Sequence, residues 1–203
     1  HLAPGSPVSA SRYLVRYERD RLSILRLSTQ RTARALIRTR IAPALRGSRL
    51  DQIDASRLQQ LIAEWHAAGL APGTVRACAR RLLTILRAAR ADGHRVAELD
   101  PKALRYPSTR TASDAPRILE PHELRRLIDQ APAPWSLAFA MQGALGLRAG
   151  ELLGLRVDDF DLVAGTVRIQ RAAVGGRESA LKTQRSAATL PLPRALCDRL
   201  LDH

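Results

Sequence analysis

The chain has 203 residues, enough for one large domain or two small ones with a proper core. It is 45% hydrophobic but only 3% aromatic, so that core has to be built from Leu, Ile, Val and Ala. A formal net charge of +14, from 33 basic and 19 acidic residues, implies an anionic partner, with nucleic acid the leading candidate. No apolar run is long enough to span a bilayer and no secretory signal is visible, which argues against membrane and exported classes.

The charge is unevenly spread. Residues 1–115 carry 21 Lys or Arg and 9 Asp or Glu, a net of +12, whereas residues 116–203 carry 12 and 10, a net of only +2. The electrostatic footprint therefore lies in the first half. Two of the basic residues are lysines, Lys102 and Lys182. A GC-rich coding bias accounts for the excess of Arg, and under it a retained lysine gains interest because Lys, unlike Arg, can release its proton near neutral pH. Cys78 and Cys197 fall at apolar helical positions without metal spacing, which reads as buried free thiols in a reducing, cytoplasmic setting. The first residue is His1 rather than Met, as in a trimmed or processed chain.

Residues 1–10 are rich in Pro, Ser and Gly and read as a flexible leader. A helical domain is expected over 11–105. Its first clear helix, residues 28–45, puts Ala33, Ile37, Ile41 and Ala44 or Leu45 on one side and Arg31, Arg34 and Arg38 on another. Residues 54–68 carry Leu58, Leu61, Ile62 and Trp65 at i, i+3, i+4 and i+7, and Gly69 ends them. Trp65 fits the core better than a base-stacking role. Pro72-Gly73-Thr74 starts a long helix to about residue 92, with Val75, Cys78, Leu82, Ile85 and Ala89 inward. Thr74, Arg76, Arg80 and Arg87 lie on its other face, with Arg90 beside them and Arg81 at the margin. No acid interrupts that face, which suits tracking along phosphates. Arg34, Arg38, Thr74, Arg76, Arg80, Arg81 and Arg87 are the candidate DNA contacts. Residues 93–117 read as a short helix followed by a linker at 106–117.

The second domain, 118–203, opens with Glu120-Pro121-His122-Glu123-Leu124, a helix start whose Leu124, Leu127 and Ile128 face inward. A helix near 134–145 follows, and then the pattern changes to strands. Thr166-Val167-Arg168-Ile169-Gln170 alternates, Gly175-Gly176 marks a turn, and strands are expected at 179–183 and 187–192 before a final helix from Arg194. Helices around a small antiparallel sheet make the chain mainly α, of the α+β class.

Between the helices and the strands stands Gly146-Leu147-Arg148-Ala149-Gly150-Glu151-Leu152-Leu153-Gly154-Leu155, an arginine at a glycine-flanked turn just before a short helix. Glu151 lies three residues on, where its carboxylate can brace the guanidinium, and Leu152 and Leu155 point inward. Held this way, Arg148 offers a planar fork to two oxygens of one phosphate, and the helix start adds amide donors. Some thirty residues later, Leu181-Lys182-Thr183-Gln184-Arg185-Ser186 reads as a lysine on a strand entering a tight turn. His122-Glu123 lacks the second histidine of a zinc helix, and Gly175-Gly176 joins two strands rather than forming a phosphate loop.

The two segments, in this order and spacing, resemble the tyrosine recombinase (phage integrase) family: its first arginine box, then the lysine of a β-hairpin. The resemblance implies a small helical, SAM-like core-binding domain over the first half and the leading part of the catalytic domain over the second. In the intact family the two domains close around double-stranded DNA, and four protomers assemble for strand exchange. For this chain it implies Arg148 as the cation that stabilises charge on the scissile phosphate, Lys182 as the proton donor to the 5′-oxygen, and Glu151 as the orienter of Arg148. No metal and no nucleotide cofactor is expected, since the phosphotyrosyl link conserves bond energy.

The family's His-x-x-Arg segment, its further His or Trp and its nucleophilic tyrosine do not occur after these boxes. The tyrosines are Tyr13, Tyr17 and Tyr106, all before the arginine box. The chain is therefore expected to bind DNA but, alone, neither to cleave nor to rejoin it. Its rivals are a non-catalytic, sequence-specific DNA-binding protein or truncated competitor at recombination sites, and a helical protein-interaction module, which leaves the charge asymmetry unexplained.

Overall fold

The computed structural model describes residues 8–108, 117–181 and 187–202. The chain forms two compact units, His1–Ala115 and Pro116–His203. That division coincides with the charge partition, so the strongly basic half is a compact unit of its own.

In the first unit, α1 (Ala10–Tyr17) widens into a π turn at Glu18–Leu22, and α2 (Leu27–Leu36) widens at Ile37–Ile41 before α3 (Ala42–Ala44). The helical run expected over 28–45 is present, but its middle is not α-helical. Ala33, Ile37, Ile41 and Leu45 are all buried and recur every four residues. A regular helix turns once per ~3.6 residues, so such a stripe drifts by about 40° at each step. The wider turn takes up the drift and keeps the stripe on the core. Helix α4 (Ala55–Ala67) starts where the Asp54 carboxylate accepts the Arg57 N–H at 2.8 Å, and it ends at Gly69, whose φ is 80°. Leu58, Leu61, Ile62 and Trp65 are buried, so Trp65 belongs to the core. Helix α5 (Pro72–Ala91) buries Val75, Cys78, Ala79, Leu82, Leu83, Ile85, Leu86 and Ala89.

Just beyond α5, Asp92 ties the unit together. Its carboxylate accepts the Tyr13 hydroxyl at 2.7 Å and pairs with the Arg21 guanidinium, linking the first helix to the end of the longest. Burial opposes the Asp92 charge, but the hydrogen bonds from Tyr13 and Arg21 outweigh it and hold the carboxyl below its ordinary range. Burial, with help from Asp92, pushes the Tyr13 phenol well above its usual value.

Two sequence expectations need correction in this unit. The leader is not loose to residue 10: Val8 and Ala10 are buried, the Val8 carbonyl accepts the Leu50 N–H at 3.0 Å, and the Ala10 N–H donates to Ser48 at 2.9 Å. Burial of Val8 and Ala10 overrides the Pro/Ser/Gly composition around them, and residues 1–7 lie outside the described residues. Nor is there a helix among the described residues of 93–117. A turn stands there instead, in which Asp100 accepts the Lys102 N–H on its side chain at 2.9 Å and the Ala103 N–H on its carbonyl at 3.2 Å. Asp100 offers the backbone a local alternative to a helix, and Pro101 has no N–H to give. The chain after it is docked: Leu104 is buried, Tyr106 packs on the core, and Gln59 grips the Arg105 backbone through bonds of 3.1 and 2.8 Å. A linker beginning at residue 106 is therefore too early.

The second unit contains α6 (Pro121–Gln130), α7 (Trp135–Leu145), α8 (Ala149–Leu152) and α9 (Arg194–Leu201). Its strands are β1 (Phe160–Asp161), β2 (Thr166–Ile169), β3 (Ala172–Val174), β4 (Arg177–Ser179) and β5 (Ala188–Pro191). They form a three-stranded antiparallel sheet in the order β1-β2-β5 and a separate β3-β4 hairpin. The α+β reading holds. Val167 and Ile169 alternate inward from β2 and join Met141, Leu147, Leu192 and Leu196 in the core. Gly175 and Gly176, with φ of 58° and 74°, make the hairpin turn. The strand after it is Arg177–Ser179, because the glycine pair fixes the register immediately behind itself. Of the strand expected at 179–183, residues 180 and 181 are not in a strand and 182–183 lie outside the described residues. Leu127 is 41% exposed rather than inward, while Leu124 lies over Gly143, where a Cβ would come within 2.8 Å of its methyl group.

Asp92→Ala strands the buried Tyr13 hydroxyl and should cost about 2 kcal/mol, whereas Tyr13→Phe removes only the donor and leaves an Asp92 carboxylate that keeps Arg21 and reaches solvent, and should cost about 1 kcal/mol. Urea unfolding followed through Trp65 fluorescence in a Trp135→Phe background checks the order of the two. The depressed Asp92 carboxyl contributes stability above the unfolded carboxylate pKa of about 3.9, and that contribution is lost as pH falls through the folded value.

Candidate functional site

Gly146, in the left-handed region at φ 65°, ends α7 and lets Leu147 turn into the core. The next residue, Arg148, is extended (φ −68°, ψ 149°) at the N-cap of α8. Glu151 is held inside, 7% exposed, and uses both carboxylate oxygens on Arg148. One accepts the Arg148 backbone N–H at 2.9 Å and the other the guanidinium at 2.7 Å. The Arg148 side chain remains 66% exposed. The brace expected from the three-residue spacing is thus present, and it is stiffer than expected because a single carboxylate fixes backbone and side chain together. A buried anion loses much of its hydration and retains its charge only with strong donors, which Arg148 supplies twice. The helix start adds less than expected: α8 has four residues, and the amide leading into it is taken by Glu151.

Two glycines set where this box stands. A Cβ at Gly154 would lie 2.7 Å from the Ala172 Cα, and one at Gly150 would lie 3.2 Å from the Ala173 carbonyl oxygen. The chain just after α8 therefore rests on the backbone of β3 at a distance only glycine permits, and α8 itself lies close against it at Gly150. The arginine element and the hairpin that precedes Lys182 are packed against each other. Lys182 itself, with residues 183–186, lies outside the described residues. On either side of that segment, Leu181 packs on the core and β5 begins at Ala188.

A second box of the same form escaped the sequence reading. Asp159 is buried, accepts the Arg156 backbone N–H at 2.8 Å and pairs with the Arg171 guanidinium. Glu178 on β4 then reaches both Arg156 and Arg171, the latter at 3.7 Å. The signal was the spacing itself: Arg156-x-x-Asp159 repeats Arg148-x-x-Glu151 eight residues later. This network anchors the hairpin from the side opposite its turn to the chain just after α8.

In the first unit the candidate DNA contacts separate into three groups. Thr74, Arg80 and Arg87 are exposed on α5 and Arg81 is half-buried, and among the described residues none of these arginines has an ion-pair partner. Arg76 is withdrawn: it is half-buried, its guanidinium stands 5.0 Å over the Tyr106 ring, and its Nε is buried without a hydrogen-bond partner among the described residues. Arg34 and Arg38 face Glu18, at 3.9 and 2.9 Å. The acid-free face expected on α5 holds at Arg80, Arg81 and Arg87 but not at Arg90, which has Glu98 at 3.9 Å, and Arg34 and Arg38 meet Glu18 from the turn after α1. Cys78 is a buried free thiol and Cys197 is only half-buried, also free. Among the described residues no three His, Cys, Asp or Glu side chains lie close enough to share a metal ion, and no described helix is long and apolar enough to cross a membrane.

No family model matches the sequence, and no curated protein matches it. Solved structures do. The Tn1549 transposon integrase in complex with a circular intermediate DNA is similar over 98% of this chain and 66% of that one, with a TM-score of 0.73 and 16% identity. The same integrase with transposon right end DNA gives a TM-score of 0.74 at 17% identity, over 96% of this chain and 64% of that one. A lambda integrase tetramer bound to a Holliday junction gives 0.70 at 18%, over 96% and 56%. The chain has the fold of these integrases and spans less than two thirds of their length.

Gly154→Ala forces a methyl group into backbone that cannot retreat as a side chain tip can, and should destabilise the second unit by roughly 1–3 kcal/mol. Denaturant unfolding followed through Trp135 in a Trp65→Phe background measures it. A cost within ~0.3 kcal/mol would mean that the chain after α8 is not in contact with β3.

Proposed function

We propose that this chain is the DNA-binding and leading catalytic portion of a tyrosine-recombinase-type integrase, acting on double-stranded DNA. The observation that carries the proposal is the outward guanidinium of Arg148, held at backbone and side chain by the buried Glu151, in a chain with the integrase fold. In this reading the first unit, through about residue 108, is the core-binding domain, and the second is the front of the catalytic domain.

Phosphodiester exchange passes through a pentacoordinate phosphorus with added negative charge on its non-bridging oxygens. Arg148 meets that charge with a preset fork, and Glu151 prevents the fork from collapsing toward other acids. Lys182 delivers a proton to the departing 5′-oxygen, a role that Arg cannot fill near neutral pH. Tyr13 and Tyr17 are buried in the first unit's core and Tyr106 lies under Arg76, which supports the reading that none of the three is the nucleophile. Arg80 and Arg87, with Thr74 and Arg81, track the backbone of the duplex, and Arg34 and Arg38 extend that contact. Self-association on DNA belongs to the same reading, the lambda integrase neighbour being a tetramer on a Holliday junction.

Affinity for duplex DNA should fall steeply with salt, and Arg80→Ala and Arg87→Ala should each flatten the log–log slope by about 0.9. Fluorescence anisotropy titrations measure both, and a flat titration would favour a protein-interaction module instead. For the chemistry, this sequence is joined to a tyrosine-bearing C-terminal segment and offered nicked duplexes enriched from a random pool. Arg148→Ala should cut covalent adduct formation by roughly 100-fold or more while leaving Kd within about twofold. An unaltered adduct yield removes Arg148 from the chemistry, and no adduct even in the parent leaves the non-catalytic binder.

A further inference from the structure

We infer that Glu18 is an internal competitor for the DNA backbone: it occupies Arg34 and Arg38 in the free protein, and duplex DNA gains those two contacts only by displacing it. The inference rests on the reading that the first unit binds DNA, and it adds a residue to which that reading assigns no role.

Glu18 opens the widened turn after α1, and its side chain is 17% exposed between two arginines from a different part of the chain. Arg38 donates to it at 2.9 Å while remaining 69% exposed, and Arg34 stands 3.9 Å away at 39% exposure. The guanidinium ends are thus accessible from solvent, but their nearest anion is already present. A carboxylate and a phosphate offer guanidinium the same kind of face, two oxygens in one plane, and the same N–H donors cannot serve both.

The contrast with α5 gives Glu18 its meaning. Arg80, Arg81 and Arg87 have no ion-pair partner among the described residues, so a phosphate reaching them displaces only water and small ions. A phosphate reaching Arg34 and Arg38 exchanges one anion for another and releases less. Unselected DNA should therefore be held mainly by α5, and these two arginines should engage only where the duplex is seated well enough to outbid Glu18. The acid limits retention on unrelated sequence without touching DNA itself. The guanidinium side of the contact is in solvent, and Glu18→Gln keeps the shape and hydrogen-bonding capacity of the largely covered side chain, so the fold is retained.

The test uses the full chain and a labelled duplex of unrelated sequence, titrated between about 50 and 200 mM salt. Glu18→Gln preserves shape and removes charge. It should tighten binding by roughly 3- to 10-fold and steepen the log–log salt slope by up to ~1.8, about 0.9 for each arginine released. In an Arg34→Ala/Arg38→Ala background the same substitution should change neither quantity by more than the loss of one negative charge at a distance, about twofold. That dependence separates competition from a general change in net charge or a folding defect, and circular dichroism confirms the fold of each variant. Unchanged or weaker binding by Glu18→Gln, with Arg87→Ala still weakening it, overturns the inference and leaves the DNA-binding reading standing. An equal gain in both backgrounds also overturns it, since the acid would then act only through net charge. Indifference to both Glu18→Gln and Arg87→Ala defeats the DNA-binding reading itself.

Discussion

One buried carboxylate holds the arginine box of the second unit. Glu151 gives one oxygen to the Arg148 backbone and the other to its guanidinium, so the carboxylate that starts α8 also aims the arginine. Such an arrangement is demanding. The anion is nearly out of solvent, and leaving it unpaired costs more than the pair gains. Gly150 in α8 and Gly154 just after it extend this constraint outward, since they bring this stretch of chain onto the β3 backbone. The orientation of one guanidinium and the placement of the hairpin leading toward Lys182 are then parts of one packed seam.

The arginines of the chain divide by what surrounds them rather than by number. Some are structural: Arg21 satisfies Asp92, Arg171 satisfies Asp159, and Arg76 lies over Tyr106. Others, such as Arg80 and Arg87, stand in solvent on a helix whose opposite side is buried. Net charge alone assigns the same value to all of them. The acids that decide the matter come from elsewhere in the chain, as Glu18 does for Arg34 and Arg38. Long-range attraction of a polyanion depends on the sum, but where it settles depends on this partition.

Much of this was legible in the sequence where the cause is local. The stripes of α4 and α5, the two-glycine hairpin turn, and the Arg148 to Glu151 step each follow from spacing of a few residues. What escaped depends on partners distant in sequence. Val8 and Ala10 are ordered by Ser48 and Leu50, the segment around Arg105 by Gln59, and the withdrawal of Arg76 by Tyr106. The widened turns were missed for another reason: a repeat of four apolar residues looks like a helix, and only its mismatch with ~3.6 residues per turn reveals the extra residue. Asp159 could have been found, because its box copies the one already recognised. The lysine half of the site, Lys182, falls outside the described residues and rests on the resemblance alone.

The central claim is that Arg148 is a preset cation for a backbone phosphate. A crystal structure of the chain bound to a duplex it selects tests this most directly. The account predicts one phosphate within about 2.7–2.9 Å of the Arg148 guanidinium, with both Glu151 contacts intact. A duplex bound with Arg148 turned away from every phosphate, or with Glu151 released from it, would contradict the account.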